Sequence, residues 1–416
     1  MSELSYLEKL LDGVEVEWLS LGELGDFIRG NGLQKKDFVE SGFPAIHYGQ
    51  IYTRYGLSAD KTFTYVLPEL ANKLRKAQKN DLLLATTSEN DEDVVKPLAW
   101  LGDNVAISGD MMLFRHEQNV KYLAYFFQSE IFQTQKMKYI TGAKVRRVSS
   151  GDLSKIKIPI PCSNNPEKSL AIQSEIVRIL DKFTALTAEL TAELAMRKKQ
   201  YNYYRDQLLS FEEGEVEWKT LGDIGDVRMC KRILKNETLP EGDVPFYKIG
   251  TFGKKANAFI SRDVFEAYKN KYSFPKKGDV LISASGTIGR TVIYDGEPAY
   301  FQDSNIVWLE NDESIVTNKY LWHFYKIAKW AVSEGGTIDR LYNDNIRKTK
   351  IIVPYPSDPS KSLAEQNRVV AILEKFDALT SSISEGLPRE IELRQKQYEY
   401  YRDLLFSFPK PEAASN

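Results

Sequence analysis

The sequence predicts an α+β protein in which two α/β modules are separated by a long antiparallel coiled-coil helix pair, with an internal pseudo-two-fold repeat. Three observations predict it: a repeated opening motif, a repeated helical segment, and dissimilar stretches between them. Because alike and unlike segments alternate, the chain is a duplication with the order module, helix, module, helix. The length of 416 residues agrees with this, since roughly 150 residues per domain gives two or three domains.

The opening motif of each module has the form EVEWxxLGxxGD. It begins at Glu15 and recurs from Glu215, which is 200 residues later. The tryptophan in the motif suggests that this segment packs against the rest of its module. We therefore place the starts of the two modules at residues 15 and 214.

The helical repeat is longer than the opening motif. LAIQSEIVRILDKFTALT (residues 170–187) recurs as LAEQNRVVAILEKFDALT (363–380), with 11 of 18 positions identical. RKKQYNYYRDQLLSF (197–211) recurs as RQKQYEYYRDLLFSF (394–408), with 11 of 15 identical. Copies that stay alike indicate a shared structural role or a shared partner.

The stretches between these repeats share only short anchors. Lys121-Tyr122-Leu123 matches Lys319-Tyr320-Leu321, and residues 142–161 line up with 335–354. The loops around the anchors differ in length and chemistry, which favours different ligands for the two modules. Neutral drift of the loops is the alternative interpretation.

The apolar positions of the helical repeat predict a coiled coil. From Ile172 to Leu208 they recur at alternating steps of four and three with one stutter, and no Gly or Pro interrupts residues 169–211. Such a helix would span roughly 60 Å at 1.5 Å per residue. Two copies can cover each other's apolar stripe as an antiparallel pair, whereas in the alternative each helix packs only on its own module.

The second helical copy carries an interruption at Gly386 and Pro388. It predicts a kink, or a helix that stops before Gly386 and restarts with Pro388 in its first turn. Residues 6–11 are expected to pack near the carboxy-terminal end of this copy. The predicted boundaries are an N-terminal helical segment (1–14), module 1 (15–165), a central long helix (166–213), module 2 (214–360), a C-terminal long helix (361–408) and a tail (409–416).

Inside the modules, short β-branched and apolar runs predict strands. In module 1 these are residues 105–107, 111–114 and 156–158, and in module 2 they are 279–283, 291–294 and 306–309. Aromatic-rich helices are expected over 122–137 and 320–332.

The composition limits the function classes. With 56 basic and 58 acidic residues the net charge is −2, so the chain does not coat nucleic acid through bulk charge. Two distant cysteines and no CxxC pair argue against a disulfide framework or a zinc site. We expect a cytoplasmic protein, because no signal peptide or apolar run of membrane-spanning length is evident.

Basic residues cluster in loops of both modules, several of them bounded by glycine. Lys and Arg neutralise phosphates, and Arg also hydrogen-bonds base edges. Taken singly, each cluster is also typical of an ordinary solvated surface. The candidate DNA-binding residues are Lys35, Lys36, Arg54, Lys61, Lys144, Arg146 and Arg147 in module 1, and Arg232, Lys254, Lys255, Arg290, Arg340, Arg347 and Lys348 in module 2.

No motif indicates catalysis or a metal site. SGTIGR (285–290) lacks the spacing of a P-loop, and neither HExxH nor GxSxG occurs. The histidines His47, His116 and His323 are scattered, and we expect them to be structural or surface residues. We therefore expect no enzyme activity in this chain.

The strings KKQYNYYRDQLLSF and QKQYEYYRDLLFSF, each following its AIQSEIVRILDKF or AEQNRVVAILEKF segment, resemble the specificity subunit of Type I restriction–modification systems. Trp18 and Trp218, each followed by Leu-Gly, resemble the openings of its target-recognition domains. The resemblance covers essentially the whole chain.

The resemblance implies that each module reads one half of a bipartite DNA site and that the helix pair sets the spacer. It also implies two modification subunits that methylate adenine with S-adenosylmethionine, and restriction subunits that use ATP and Mg²⁺. No cofactor is expected in this chain, and no membrane contact. Two alternatives remain at this point: a helical scaffold or adaptor with two protein-binding domains and no DNA role, and a self-sufficient nuclease or methyltransferase.

Overall fold

The computed structural model describes residues 10–11, 13–211, 215–332, 339–382 and 384–408. The chain forms two compact units. Unit 1 comprises Met1–Leu190 with Glu390–Asn416, and unit 2 comprises Thr191–Arg389. Each unit therefore combines one module with a part of the first and a part of the second helical segment.

Module 1 is built on β-sheets of five and four strands. The strands are β1 Val16–Ser20, β2 Gly25–Arg29, β3 Phe43–Ile46, β4 Ser58–Ala59, β5 Thr64–Val66, β6 Lys76–Ala77, β7 Leu82–Ala85, β8 Thr87–Ser88, β9 Lys96–Trp100, β10 Val105–Ile107, β11 Met111–His116, β12 Arg146–Arg147 and β13 Lys157–Pro161. The five-stranded sheet has the order β2-β11-β7-β9-β4 and the four-stranded sheet the order β5-β3-β10-β6, and β1-β13 and β12-β8 form two-stranded sheets.

Module 2 has a similar but smaller set of sheets. The strands are β14 Val216–Thr220, β15 Gly225–Arg228, β16 Val244–Tyr247, β17 Phe259–Ile260, β18 Val280–Ser283, β19 Thr291–Ile293, β20 Tyr300–Phe301, β21 Ile306–Asn311 and β22 Lys350–Pro354. A four-stranded sheet has the order β15-β21-β18-β19, a three-stranded sheet has the order β17-β16-β20, and β14 pairs with β22.

The opening motif has the same place in both modules, because its strand pairs antiparallel with the last strand of the module. Trp18 lies opposite Pro159, and Trp218 lies opposite Ile352. Trp18 packs on the core of unit 1, as the motif suggests. Trp218 is 58% exposed, so in the second copy the segment packs through its strand pairing and not through the tryptophan.

Short helices connect the strands. In module 1 they are Leu21–Leu24, Tyr48–Thr53, Pro68–Ala71, Val120–Gln128, Glu130–Lys136 and Ser150–Leu153, and in module 2 Leu221–Ile224, Arg262–Lys271, Asn318–Tyr325 and Asn343–Lys348. Single 3₁₀ turns cover Lys35–Asp37, Met137–Tyr139 and Lys235–Glu237.

The aromatic-rich helices are shorter than predicted. The helix expected over 122–137 breaks at Ser129, whose hydroxyl donates to the Phe126 carbonyl at 2.6 Å and whose side chain caps the next helix. The helix expected over 320–332 ends at Tyr325. The predicted strands are present, but Ile156, Asp279 and Tyr294 lie outside them, because apolar patterning places strand ends poorly.

The central helix (Pro166–Ser210) is continuous over 45 residues, as the absence of Gly and Pro from residues 169–211 predicts. The second helical segment is broken into Pro359–Ser381 and Gly386–Phe406, which confirms the interruption at Gly386. Gly386 has φ +78°, and a Cβ atom there would collide with the carbonyl oxygens of Ala378 and Leu379. Only glycine fits this turn.

The two helical segments meet inside each unit. In unit 1, Phe183 of the central helix stacks on Tyr401, with ring centroids 5.2 Å apart. In unit 2, Tyr204 of the central helix stacks on Phe376 at 5.8 Å. The segments therefore cover each other's apolar stripe, and in addition each contributes to the core of a module.

The start of the chain joins the core of unit 1 where the structure describes it. Leu10 and Leu11 pack on the cluster that contains Leu405 and Phe406. The rest of the segment predicted over 1–14 includes residues 1–9, which lie outside the described residues, as does the tail 409–416. Within the described ranges, no helix is both long enough and apolar enough to cross a bilayer.

Candidate nucleic-acid interface

A basic hairpin stands at one edge of module 1. Its strand Arg146–Arg147 pairs antiparallel with Thr87–Ser88, and an isolated bridge joins Thr141 to Arg147. Lys144 and Arg147 are exposed on this hairpin. The fold therefore presents two of the predicted cations on one anchored loop.

Arg146, the third cation of this hairpin, is half-buried and bound to other groups of the protein. Its Nε lies 2.8 Å from Asp91 Oδ1, and its Nη1 donates to the Gly142 carbonyl at 2.5 Å. The side chain is only 34% exposed. Arg146 thus braces the hairpin and has less freedom to meet DNA than Arg147.

The loop that carries Asp91 is anchored by a buried lysine. Lys136 is fully buried, and its Nζ donates to the carbonyls of Glu92 and Val94 at 2.8 and 3.0 Å. Burial lowers the pKa of Lys136 to about 8, although the acidic side chains of the loop oppose this shift. Tyr52 adds hydrogen bonds to the carbonyls of Thr87 and Asp93. The position of Asp91 is therefore set by groups far away in sequence.

The remaining candidates of module 1 lie on other loops. Lys35 and Lys36 are exposed in a 3₁₀ turn, and Lys61 is exposed in the loop before β5. The Arg54 guanidinium lies over the Phe63 ring, 5.7 Å from its centroid. The structure places all four on the surface but does not link them to the hairpin.

In module 2, polar side chains surround an open concavity of about 650 Å³. Two predicted cations, Arg232 and Arg340, line it together with residues that the sequence did not single out. Arg340 is held by a backbone bridge to Ser285, much as Arg147 is paired with Thr87 in module 1. The other polar lining residues include Lys235, Lys248, Gln302, Asp303 and Asn305.

Arg232 is an exposed cation of this concavity that forms an ion pair. Its Nε donates to Asp303 Oδ2 at 2.8 Å, with 69% of the arginine side chain and 16% of the aspartate side chain exposed. Asp303 was missed because it lies 71 residues away in sequence. The available signal was the polar run Gln302–Asn305 between two apolar strands.

The other candidates of module 2 do not converge on this concavity. Arg290 is half-buried and donates to the Phe252 carbonyl at 3.1 Å, so it acts as a brace like Arg146. Lys254 lines a separate concavity with Tyr247, and Lys255 is exposed. Arg347 lies 3.8 Å from Asp226, and Lys348 lines a third concavity.

The histidines are structural, as expected. His47 caps a helix by accepting from the Gly49 amide at 3.2 Å. Burial lowers the pKa of His116 to about 4 and that of His323 to about 3. In the described residues, no three His, Cys, Asp or Glu side chains are grouped to hold a metal ion.

Comparisons with known proteins agree with this architecture. The family model described as "Type I restriction modification DNA specificity domain" matches residues 13–196 and 213–393. A putative type I restriction enzyme specificity subunit of Haemophilus influenzae is 45% identical over 97% of this chain and 98% of its own length. The Escherichia coli EcoR124I/EcoR124II specificity subunit is 42% identical over the full length of both chains.

Solved structures share the fold at low sequence identity. The S subunit of a Type I restriction–modification system from M. genitalium aligns over 96% of this chain and 98% of its own, with TM-score 0.52 and 16% identity. A chain from a study of complex assembly and conformational transition in the type I R-M system aligns over 94% and 97%, with TM-score 0.59 and 16% identity. With two matching domains and full-length relatives above 40% identity, this chain belongs to the family of Type I restriction–modification DNA specificity subunits.

Proposed function

We propose that each module reads one half of a bipartite DNA site on behalf of a Type I restriction–modification complex. The observation that carries the proposal is that both modules hold an exposed arginine at a matching place. Arg147 is paired with Thr87 in module 1, and Arg340 is bridged to Ser285 in module 2. Because the surrounding loops differ, the two halves of the site would differ in sequence.

The helical segments would fix the separation of the two halves. The central helix is unbroken over 45 residues and contributes to both units. A rigid element between two readers imposes a fixed spacing on the duplex, as dimer geometry does for half-sites. The helices thus set the length of the unread spacer.

Two modification subunits would dock on the helical segments. Tyr203 and Tyr400 occupy equivalent positions of the helical repeat, and both are well exposed, by 62% and 47%. Large aromatic side chains at exposed positions favour protein interfaces. The duplication therefore provides two similar surfaces for two copies of one partner, while restriction subunits complete the complex.

Catalysis would belong to those partners. The chain has no sequence motif for cofactor binding, so S-adenosylmethionine, ATP and Mg²⁺ are assigned to the modification and restriction subunits. The chain itself would act as a non-catalytic reader in the cytoplasm, where the DNA lies.

Recovery of bound DNA from a random library tests the proposal. The chain, assembled with its modification subunits, should select one motif with two defined halves and a fixed gap. Recovery of unrelated sequences would instead favour a protein-binding scaffold. Methyl transfer or plasmid cleavage by the purified chain alone would show that it is a self-sufficient enzyme.

A helical insertion tests the spacing role. Four extra residues next to Leu194, in the central helix, should change the preferred gap and leave both half-sites as they were. Altered half-sites with an unchanged gap would contradict it.

A further inference from the structure

We infer that Arg232 reads a guanine in the half-site of module 2, and that Asp303 is the positioning residue that aims it. The inference rests on the proposed function and deepens it, because it names one base and the two side chains that recognise it. It starts from the contact between Arg232 Nε and Asp303 Oδ2, which are 2.8 Å apart.

This contact leaves the far end of the guanidinium unused. Asp303 takes the Nε–H, and in the described part of the chain no acceptor contacts Arg232 Nη1 or Nη2. An arginine held in this way presents two parallel N–H donors. A guanine offers the matching pair of acceptors, O6 and N7, in the major groove.

The backbone on both sides of the pair is fixed. The buried Tyr300 hydroxyl donates to the Lys231 carbonyl at 3.0 Å, directly before Arg232. The loop of Asp303 is closed by the hydrogen bond from the Ile306 amide to the Gln302 carbonyl at 3.0 Å. The direction of the guanidinium is therefore set before DNA arrives, which lowers the entropic cost of binding.

The charges of the Arg232–Asp303 pair favour contact with a base over contact with a phosphate. The carboxylate neutralises the guanidinium, so the pair adds little to the attraction of a phosphate. A neutral base edge is not repelled by Asp303 and still receives both hydrogen bonds. Stability does not explain the pair either, because an ion pair with so exposed an arginine contributes little to folding.

The surroundings complete the site. Lys235 and Lys248 line the same concavity, and among the described residues neither forms an ion pair with a carboxylate that would reduce its attraction for phosphates. They suit the sugar–phosphate backbone next to the base. Lys235 is therefore the matched control, since it is a cation of the same concavity without the aiming contact.

The test uses the complex with its modification subunits and DNA recovered from a random library. Arg232→Lys keeps the positive charge but loses the two parallel N–H donors. The selected motif should therefore lose its preference for one G·C pair in one half-site. The preference at that pair should fall by about tenfold to a hundredfold. Asp303→Ala should reduce it in part, and Asp303→Asn, which keeps an oxygen acceptor, should restore it. Lys235→Ala should weaken all sequences equally.

A modified base gives the second readout. Replacing that guanine with 7-deazaguanine removes N7 and should weaken the wild-type complex about tenfold, with little further effect on Arg232→Lys. An unchanged motif for Arg232→Lys, or an equal loss for every sequence, overturns the inference while the proposed function stands. A wild-type complex that selects no motif overturns both.

Discussion

The duplicated chain allows two equivalent regions to be compared. We call them junction 1 and junction 2: in each, a module helix meets the central helix and the second helical segment. Junction 1 lies in unit 1 around Tyr125, and junction 2 lies in unit 2 around His323. These two residues occupy equivalent positions of the repeat.

Both junctions share one buried hydrogen-bond frame. The side chain of Gln173 accepts from the Asn119 amide at 3.0 Å, and the side chain of Gln366 accepts from the Thr317 amide at 2.9 Å. Each glutamine is fully buried and also donates to a serine one turn earlier in its helix. These hydrogen bonds satisfy a backbone amide at the start of each module helix. Loss of either glutamine would leave that amide without an acceptor, which costs free energy of folding.

Both junctions carry an ion pair between a lysine and a carboxylate, Lys121–Asp181 and Lys319–Glu374, but one other polar contact differs in charge. In junction 1, Tyr125 donates to Asp181 at 2.7 Å, and Tyr398 donates to Gln128 at 2.9 Å. In junction 2, the equivalent of Gln128 is Lys326.

Lys326 of junction 2 contacts Asp377 and Tyr201, at 2.9 and 3.1 Å. His323 lies 3.8 Å from the same aspartate. The hydrogen bonds to the backbone and the stacked rings are therefore common to both junctions, whereas the contact at Gln128 and Lys326 is neutral in one and charged in the other.

Removal of Lys326 should have the largest effect. Lys326→Met leaves the largely buried Asp377 without its cation, and we expect unit 2 to lose about 3 kcal/mol of stability. The equivalent change in junction 1, Gln128→Met, removes one neutral hydrogen bond and should cost about 1 kcal/mol. Hydrogen exchange of each module helix measures the two losses separately.

A double replacement provides the control for Lys326. Lys326→Gln with Asp377→Thr copies the equivalent residues Gln128 and Thr184 of junction 1 and should recover to within about 1 kcal/mol of wild type. Equal losses for the two single methionine variants would show that charge does not distinguish the junctions.

The shared glutamines should behave alike. Gln173→Met and Gln366→Met each leave a buried backbone amide without an acceptor, and each should cost about 2 kcal/mol. Chemical denaturation of the two variants checks the size of the loss. A large loss in only one of them would mean that the frame is not equivalent in the two units.

Acid should destabilise each unit through a different histidine. Burial lowers the pKa of His116 in unit 1 to about 4 and of His323 in unit 2 to about 3, against about 6.5 in an unfolded chain. Because the unfolded state binds more protons below pH 6.5, stability falls with pH from there towards each folded pKa. We expect a loss of about 1.4 kcal/mol per histidine at pH 5.5.

Single variants separate these two effects. His323→Phe should remove the acid sensitivity of unit 2 alone. His116→Asn, which copies Asn311 at the equivalent strand position of module 2, should reduce that of unit 1, where His47, whose pKa is also lowered by burial, keeps a part of it. Unfolding of each unit followed against pH decides, and an unaltered profile in either variant contradicts the assignment.

The basic loops should give the smallest effects. Alanine at Lys144 or Arg147 should weaken DNA binding and lower the salt slope of the complex by about one per lost phosphate contact. Arg146→Ala should change the slope less, because Asp91 and the Gly142 carbonyl already occupy that side chain. Affinities measured over a range of salt concentrations test this, and a slope unchanged by all three substitutions would remove the hairpin from the interface.

The sequence alone determined the duplication, the strand-rich modules, the continuous central helix and the stop at Gly386. These features follow from local hydrophobic periodicity and from residues such as glycine that allow unusual backbone conformations. Both can be recognised without knowing which residues are close in space. The sequence did not predict the helix ends near Ser129 and Tyr325, because hydrogen bonding and tertiary packing decide where a helix stops.

The tertiary structure alone decided which charged residues are available to a ligand. In the sequence, Arg146, Arg147, Arg232 and Arg290 look alike as loop cations. The fold binds Arg146 to Asp91 and Arg290 to the Phe252 carbonyl, aims Arg232 with Asp303, and leaves Arg147 exposed. An arginine side chain is occupied or oriented by acceptors that lie tens of residues away in the sequence, and only folding brings those acceptors close to it.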